Sequence, residues 1–214
     1  MADIFREVDE ELQQERAEKV WKKYGGWIIT VALAIVLGVA GNVAYNKWKI
    51  DRQANYAERY ATAVDLVRDG KAEDAASMFK DMAGDVGEGY GLLAKLGVAM
   101  AHARAGDKEA AAAAYLAMAN DSDVPQAYAD LARLRGVQLR IGSADGEALR
   151  GDLAPLLKEG GAWYPLAREA EAMIALKAGA RDEAAKIYQA IAADPASPQR
   201  LKARAGEMIS ALAN

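Results

Sequence analysis

Two patterns of apolar positions divide the chain. From Gly26 to Tyr45 the residues run GWIITVALAIVLGVAGNVAY, apolar on every side and without a charged residue. That length matches the ~20 apolar residues a helix needs to cross a bilayer core. Beyond it, from about residue 56, apolar residues recur three and four apart with polar residues between them, the period of amphipathic helices. Glycines at 70, 106, 142 and 179 punctuate this second region at intervals of 36, 36 and 37 residues. Each follows a helical run, as a left-handed glycine ending a helix does. The pattern predicts one membrane-crossing helix followed by stacked helical hairpins.

The flanks of the apolar run strengthen the first prediction. Lys22 and Lys23 precede it, and Lys47, Lys49 and Arg52 follow. Trp21, Tyr24, Trp27, Tyr45 and Trp48 stand at its edges, where amphipathic rings settle at headgroup level. A cleaved signal peptide would have a short basic leader and a shorter apolar core. Here residues 1–24 carry seven acids against five bases, and only Gly38-Val39-Ala40 resembles a cleavage site. A second span is excluded by the lack of another such run. Within the anchor, taken as 25–46, Thr30, Ala34, Gly38 and Asn42 share one helix face. Small residues there let a second membrane helix approach, and Asn42 offers it a hydrogen bond.

In the leader, Ile4, Phe5, Val8 and Leu12 recur at helical spacing opposite an acidic face. This predicts a short amphipathic helix, solvated or docked on a partner. Its acidity disfavours lying on anionic lipid. Charge does not orient the span, because three bases lie close to each end.

The hairpin region, 47–214, repeats in detail. Gly70 is followed by Ala75 and Phe79, Gly106 by Ala111 and Tyr115, and Gly179 by Ala184 and Tyr188. The small residue lets two helices pack closely and the aromatic fills the space toward the next hairpin. Units are expected at about 56–84, 92–120, 128–158 and 165–195. The third departs: Ser143 follows Gly142, Glu147 stands in place of Ala, and Gly146 and Gly151 interrupt the second helix. Leu201, Ala205, Met208, Ile209 and Leu212 form the apolar face of a capping helix, which solenoids require. Gly84, Gly87, Gly89 and Gly91 read as a loop between hairpins, without the spacing or Lys of a phosphate loop. The fold class is therefore all-α: one transmembrane helix, then a helical solenoid of about four hairpins with a cap.

Composition limits the chemistry. The net charge is −4, with 22 bases against 24 acids beyond the anchor, so there is no basic field for nucleic acid. There is no Cys and one His, His102, which leaves no zinc site and no nucleophilic dyad. No enzyme, cofactor, metal or small-molecule substrate is expected. One regularity remains: Arg68, Arg104, Arg140 and Lys177 each stand two residues before a repeat glycine. A cation in a helix's last turn is favoured by the helix dipole. Stacked as a column, the four also form a basic rail for a partner's acidic groups, with Tyr60, Leu96, Met100 and Met173 on the same surface.

The period, and the Ala and aromatic of each second helix, resemble the tetratricopeptide repeat. The whole plan of acidic leader, single anchor and four repeats resembles the membrane-anchored ancillary SecYEG translocon subunits, the YfgM-type family. FREVDEELQQERAEKVWKKYG, Phe5 to Gly25, is similar to the leader of its alphaproteobacterial members. The resemblance implies a bacterial inner-membrane protein with a cytoplasmic N-terminus and a periplasmic repeat domain. It implies association with the SecYEG translocon and a membrane-anchored parvulin-type periplasmic chaperone, and it transfers no catalytic residue. Two other functions fit the same plan: a holdase chaperone binding unfolded clients, and a non-catalytic scaffold of another envelope complex.

Overall fold

A computed structural model describes residues 2–85 and 88–213, with side chains except those of residues 2–17, 20, 85 and 88. The described residues form nine α-helices, one 3-10 turn and no strand. They fall into two compact units, residues 1–55 and 56–214.

The first unit is helical. Helix α1, Ala2–Arg68, includes the leader and the apolar run. The amphipathic face expected from Ile4, Phe5, Val8 and Leu12 lies outside the described side chains. One helix among the described residues is long and apolar enough to cross a membrane; its most apolar 18 residues average a hydropathy of 2.2 and none is buried. Trp27, Leu33, Ile35 and Leu37 are among its many exposed apolar side chains.

The second unit takes the end of α1 and eight further helices: α2 Ala72–Asp85, α3 Glu88–Ala105, α4 Lys108–Ala119, α5 Gln126–Arg140, α6 Gly146–Leu153, α7 Tyr164–Lys177, α8 Arg181–Ala193 and α9 Gln199–Leu212. The end of α1 packs on α2 through Ala63, and from α2 onward each helix packs on the next in sequence. The four expected hairpins are α1–α2, α3–α4, α5–α6 and α7–α8, and α9 closes the series.

The glycines make the reversals. Gly70, Gly106, Gly142 and Gly179 all have φ between +79° and +99°, a region costly for a residue with a Cβ. Around Gly70, Gly106 and Gly179 the same pair of bonds recurs. The glycine N–H donates to the carbonyl three residues back, and the next N–H reaches the fifth carbonyl back: Lys71 to Leu66 at 2.9 Å, Asp107 to His102 at 3.0 Å, Ala180 to Ala175 at 2.9 Å. These are Schellman closures, which satisfy the last carbonyls of the first helix. Gly160, also at positive φ, lies within the loop between the 3-10 turn and α7 and was not marked by the repeat spacing.

Small residues then set the packing distance. Ala75, Ala111 and Ala184 are fully buried, and Phe79 and Tyr188 are buried beside them. Phe79, Met82, Ala75 and Ala76 of α2 pack with Ala63 of α1 and Ala94 and Ala101 of α3. Gly97 of α3 lies so close to α2 that a Cβ there would sit 2.6 Å from the Phe79 ring.

The third hairpin differs, for another reason than the glycines suggested. Gly146 does not interrupt α6; it opens it, behind Asp145, whose carboxylate accepts the Ala148 N–H at 3.0 Å. Gly151 lies within the helix with open space around it. The helix stops at Leu153 because Pro155 follows, and the chain tightens into the 3-10 turn Ala154–Leu156. Counted from the N-cap, the small-residue position falls on Leu149 and the aromatic position on Leu153, both buried. Glu147, two residues earlier, is exposed. The turn is longer here, and two leucines replace Ala and an aromatic.

The glycine-rich loop is also shorter than expected. Gly84 belongs to α2, and Gly89 and Gly91 to α3; Gly87 lies outside the described residues. Burial of Met82 and Ala94 on either side favours helix there over glycine's weak opposing propensity.

Gly97→Ala should lower the melting temperature of the full chain in detergent by several degrees, because the Phe79 ring has no room to withdraw. Overpacking of this kind costs about 1–3 kcal/mol. Gly84→Ala, in open space, is the control, and circular dichroism at 222 nm is the readout. Equal melting of the two variants would show that α3 can back away from α2.

Candidate functional site

The four first helices of the hairpins (the end of α1, α3, α5 and α7) place the candidate cations and apolar groups. In α3 and α7 the buried positions coincide when Gly106 is set on Gly179: Ala94 with Ala167, Ala99 with Ala172, Ala101 with Ile174. Helix α5 fits the same pattern only when moved by one residue, so that Ala129, Leu134 and the buried Gly136 take those places. In this register Leu139, not Arg140, stands where α3 has Arg104 and α7 has Lys177.

The expected column is therefore not uniform. Arg140 turns toward α6 and is held by Asp152, Nη1 to Oδ2 at 2.6 Å. Arg68 is paired with Asp65 of its own helix at 3.0 Å, both exposed. Arg104 and Lys177 are exposed, and neither has an ion pair among the described residues. Arg104 borders a cleft that Gly70, Glu73 and Asp74 also line. The Lys177 stem lies alongside Gly142, where a Cβ would be 3.5 Å from its Cε.

The acids at the starts of the second helices lie just across these turns: Glu73 and Asp74, Glu109, Glu147, Asp182 and Glu183. Cations at helix C-termini and acids at the following N-termini both complement the helix dipoles. The edge that carries the turns is thus mixed in sign.

The four apolar candidates divide evenly. Tyr60 is half-buried against Phe79, ring centroids 5.3 Å apart. Leu96 is half-buried against the cluster of Met118, Val124, Ala129 and Ala132. Met100 and Met173 are 44% and 39% exposed, at the same position of their repeats. Sequence reading did not single out Leu93 and Tyr128, which are also exposed; their signal was the solvent side of the same helical stripe.

Ion pairs fix the linkers and the cap. Arg204 of α9 makes two parallel bonds to Glu169 of α7, 2.8 and 2.7 Å, the fork geometry a guanidinium favours. The Glu169 hydrogen bond raises the Arg204 pKa, and burial raises that of the neighbouring Tyr188 phenol. Arg133 reaches across to cap α4 at the Ala119 carbonyl and Asn120. In two linkers an Asp folds back on its own loop: Asp121 accepts the Asp123 N–H, and Asp194 accepts Ala196 N–H and Ser197 hydroxyl. Both are followed by Pro-Gln at the start of the next helix. Helix α9 thus enters as the first helix of another unit.

In the anchor, the Thr30 hydroxyl donates to its own helix at the Gly26 carbonyl, 2.8 Å, and the Asn46 amide donates to Asn42 Oδ1 at 3.3 Å. Gly38 is open. No group of three or more His, Asp or Glu among the described residues is arranged to hold a metal. His102 sits half-buried in the last turn of α3.

A model of the tetratricopeptide repeat-like domain family matches residues 18–207. The chain belongs to this family. The match includes the apolar run as well as all four hairpins of the repeat domain. Neither a curated protein nor a solved structure matches the chain. Tetratricopeptide repeat-like folds are typically non-catalytic surfaces for protein interaction, which is the coarse function family membership supports.

The Asp121 carboxyl is held below its ordinary pKa, first by the hydrogen bond from Lys95 and then by the Asp123 N–H. A lowered folded-state value adds stability above the unfolded pKa, about 3.9, and loses it as pH falls through the folded value. Asp121→Asn should therefore be less stable than the parent at pH 7, with the gap closing below about pH 4. Chemical unfolding across pH 2–7 measures it. A gap independent of pH would mean that the loop, not the charge, is what Asp121 supports.

Proposed function

We propose that the protein is a single-pass membrane adaptor whose repeat domain stands beside the secretion channel. The observation that carries the reading is the joining of an apolar helical stretch, with no residue of its most apolar part buried, to a repeat domain of the interaction type. Water does not tolerate so long an apolar surface, and Trp and Tyr stand at both of its ends. The leader and plan resemble the ancillary SecYEG translocon subunits, which supports a cytoplasmic N-terminus and a periplasmic repeat domain in the inner membrane. The partners on this reading are the SecYEG translocon and a membrane-anchored parvulin-type chaperone. Confinement to the membrane raises the domain's effective concentration near emerging chains.

The exposed Leu93, Met100 and Tyr128 favour a second reading, direct holding of unfolded clients, since Met and Tyr suit adaptable contact.

Gentle detergent extraction of the full chain from its native membranes should bring down translocon subunits and the chaperone. A version with a foreign anchor in front of residues 46–214 should lose the translocon if the leader or the Thr30–Ala34–Gly38–Asn42 face docks it. Recovery of a different envelope complex instead would point to scaffolding elsewhere. Recovery of many unrelated nascent or unfolded proteins, with no stoichiometric partner, would favour the holdase.

A further inference from the structure

Two of the six described methionines are open to solvent. Met100 on α3 is 44% exposed and Met173 on α7 39%, whereas Met82 and Met118 are buried and Met78 and Met208 half-buried. The two exposed sulfurs share a second feature. Each has a cation four residues on, Arg104 after Met100 and Lys177 after Met173, where the other four have Met82, Val86, Ser122 and Leu212. Residues at this spacing are neighbours on one helix face. Helical side chains lean toward the N-terminus, so the later residue of such a pair reaches back over the earlier one. Neither cation has an ion pair among the described residues, so no carboxylate holds either one away from its methionine. Helix α5 carries Arg135 at the equivalent position, and the stack therefore presents two such pairs with one hairpin between them.

We propose that Met100 and Met173 are paired sites of reversible oxidation by hydrogen peroxide, each assisted by the cation one turn along its own helix. The thioether sulfur attacks one peroxide oxygen and the O–O bond breaks. The bonding electron pair leaves with the other oxygen as hydroxide, which takes the proton from the transferred oxygen and departs as water. Sulfur is oxidised by two electrons to the sulfoxide, and the peroxide is reduced to water. Negative charge develops on the departing oxygen, where an N–H of Arg104 or Lys177 stabilises it. The same cation then donates to the sulfoxide oxygen, a better acceptor than the thioether sulfur. Oxidation thus turns two apolar side chains polar and engages both cations at once. Neither step depends on what the repeat domain binds.

The test is dilute hydrogen peroxide on the full chain in nanodiscs of saturated phosphatidylcholine, with the rate at each methionine read by peptide mass spectrometry. Met100 and Met173 should oxidise first, roughly tenfold or more ahead of Met82 and Met118. Arg104→Gln should slow Met100 by roughly threefold or more and leave Met173 unchanged, and Lys177→Gln should do the reverse. Lys177→Arg should keep the parent rate. Each variant carries its own control in the other repeat, and slow oxidation of Met82 and Met118 throughout shows that the fold is intact. Methionine sulfoxide reductases should return both residues to the thioether. Equal rates at all the methionines overturn the proposal. So do unchanged rates in both Gln variants, which would leave exposure as the sole cause, and sulfoxides that the reductases fail to restore.

Discussion

The repeat domain depends on how closely its helices can approach. Ala63, Ala75, Ala94, Ala111, Ala167, Ala172 and Ala184 have no solvent exposure, and none fills space beyond its own Cβ. Such a core gains little per residue from burial, at about 25 cal/mol per Å² of apolar area. It works because backbones come near enough for the few large groups, Phe79, Met82, Leu149 and Tyr188, to be enclosed completely. Gly97 is the limiting case, with an aromatic ring where a side chain would otherwise be. Close approach in turn requires short, fixed reversals. Three Schellman turns provide them, each consuming a left-handed glycine and the carbonyls that the helix end would leave unpaired.

Much of this was legible because glycine has one clear use at a helix end. The spacing of Gly70, Gly106 and Gly179 located the turns, and the Ala and aromatic five and nine residues on gave the packing faces. The third hairpin was misread because the same ruler was laid from Gly142. That glycine does have positive φ, but its neighbours bond differently: Ser143 and Ala144 both donate to the Arg140 carbonyl. Asp145 was the better marker, since an Asp with Glu two residues later starts both α4 and α6. Measured from there, Leu149 and Leu153 take the core positions without strain. The glycines between α2 and α3 misled for the opposite reason. Tertiary burial on both sides outweighed the ~1 kcal/mol that glycine costs a helix.

Charge was less legible than hydrophobicity, because a sequence shows where a cation is and not what meets it. Arg68, Arg104, Arg140 and Lys177 look equivalent along the chain. In the fold, Arg140 is turned toward Asp152 and Arg68 is engaged by Asp65, while the other two face solvent. Exposed pairs such as Arg68–Asp65 add little stability, typically 0–1 kcal/mol. The effect of the two pairs is to neutralise Arg68 and Arg140, while Arg135 on α5 stays exposed beside Gln138.

The longer turn of the third hairpin therefore does more than lengthen a loop. By moving α5 one residue against its glycine, it takes Arg140 out of line with Arg104 and Lys177, puts Leu139 there instead, and brings the exposed Arg135 to the position of Met100 and Met173. A regular solenoid would present an unbroken basic row, which attracts any acidic chain at any register. Here the exposed cations instead follow a stepped line, Arg104, Arg135 and Lys177. The irregular unit holds its own core with Leu149, Leu153 and Leu156, so the step does not require a weak point in the stack. What looks in the sequence like a decayed repeat is, in the structure, a well-packed unit with its own register.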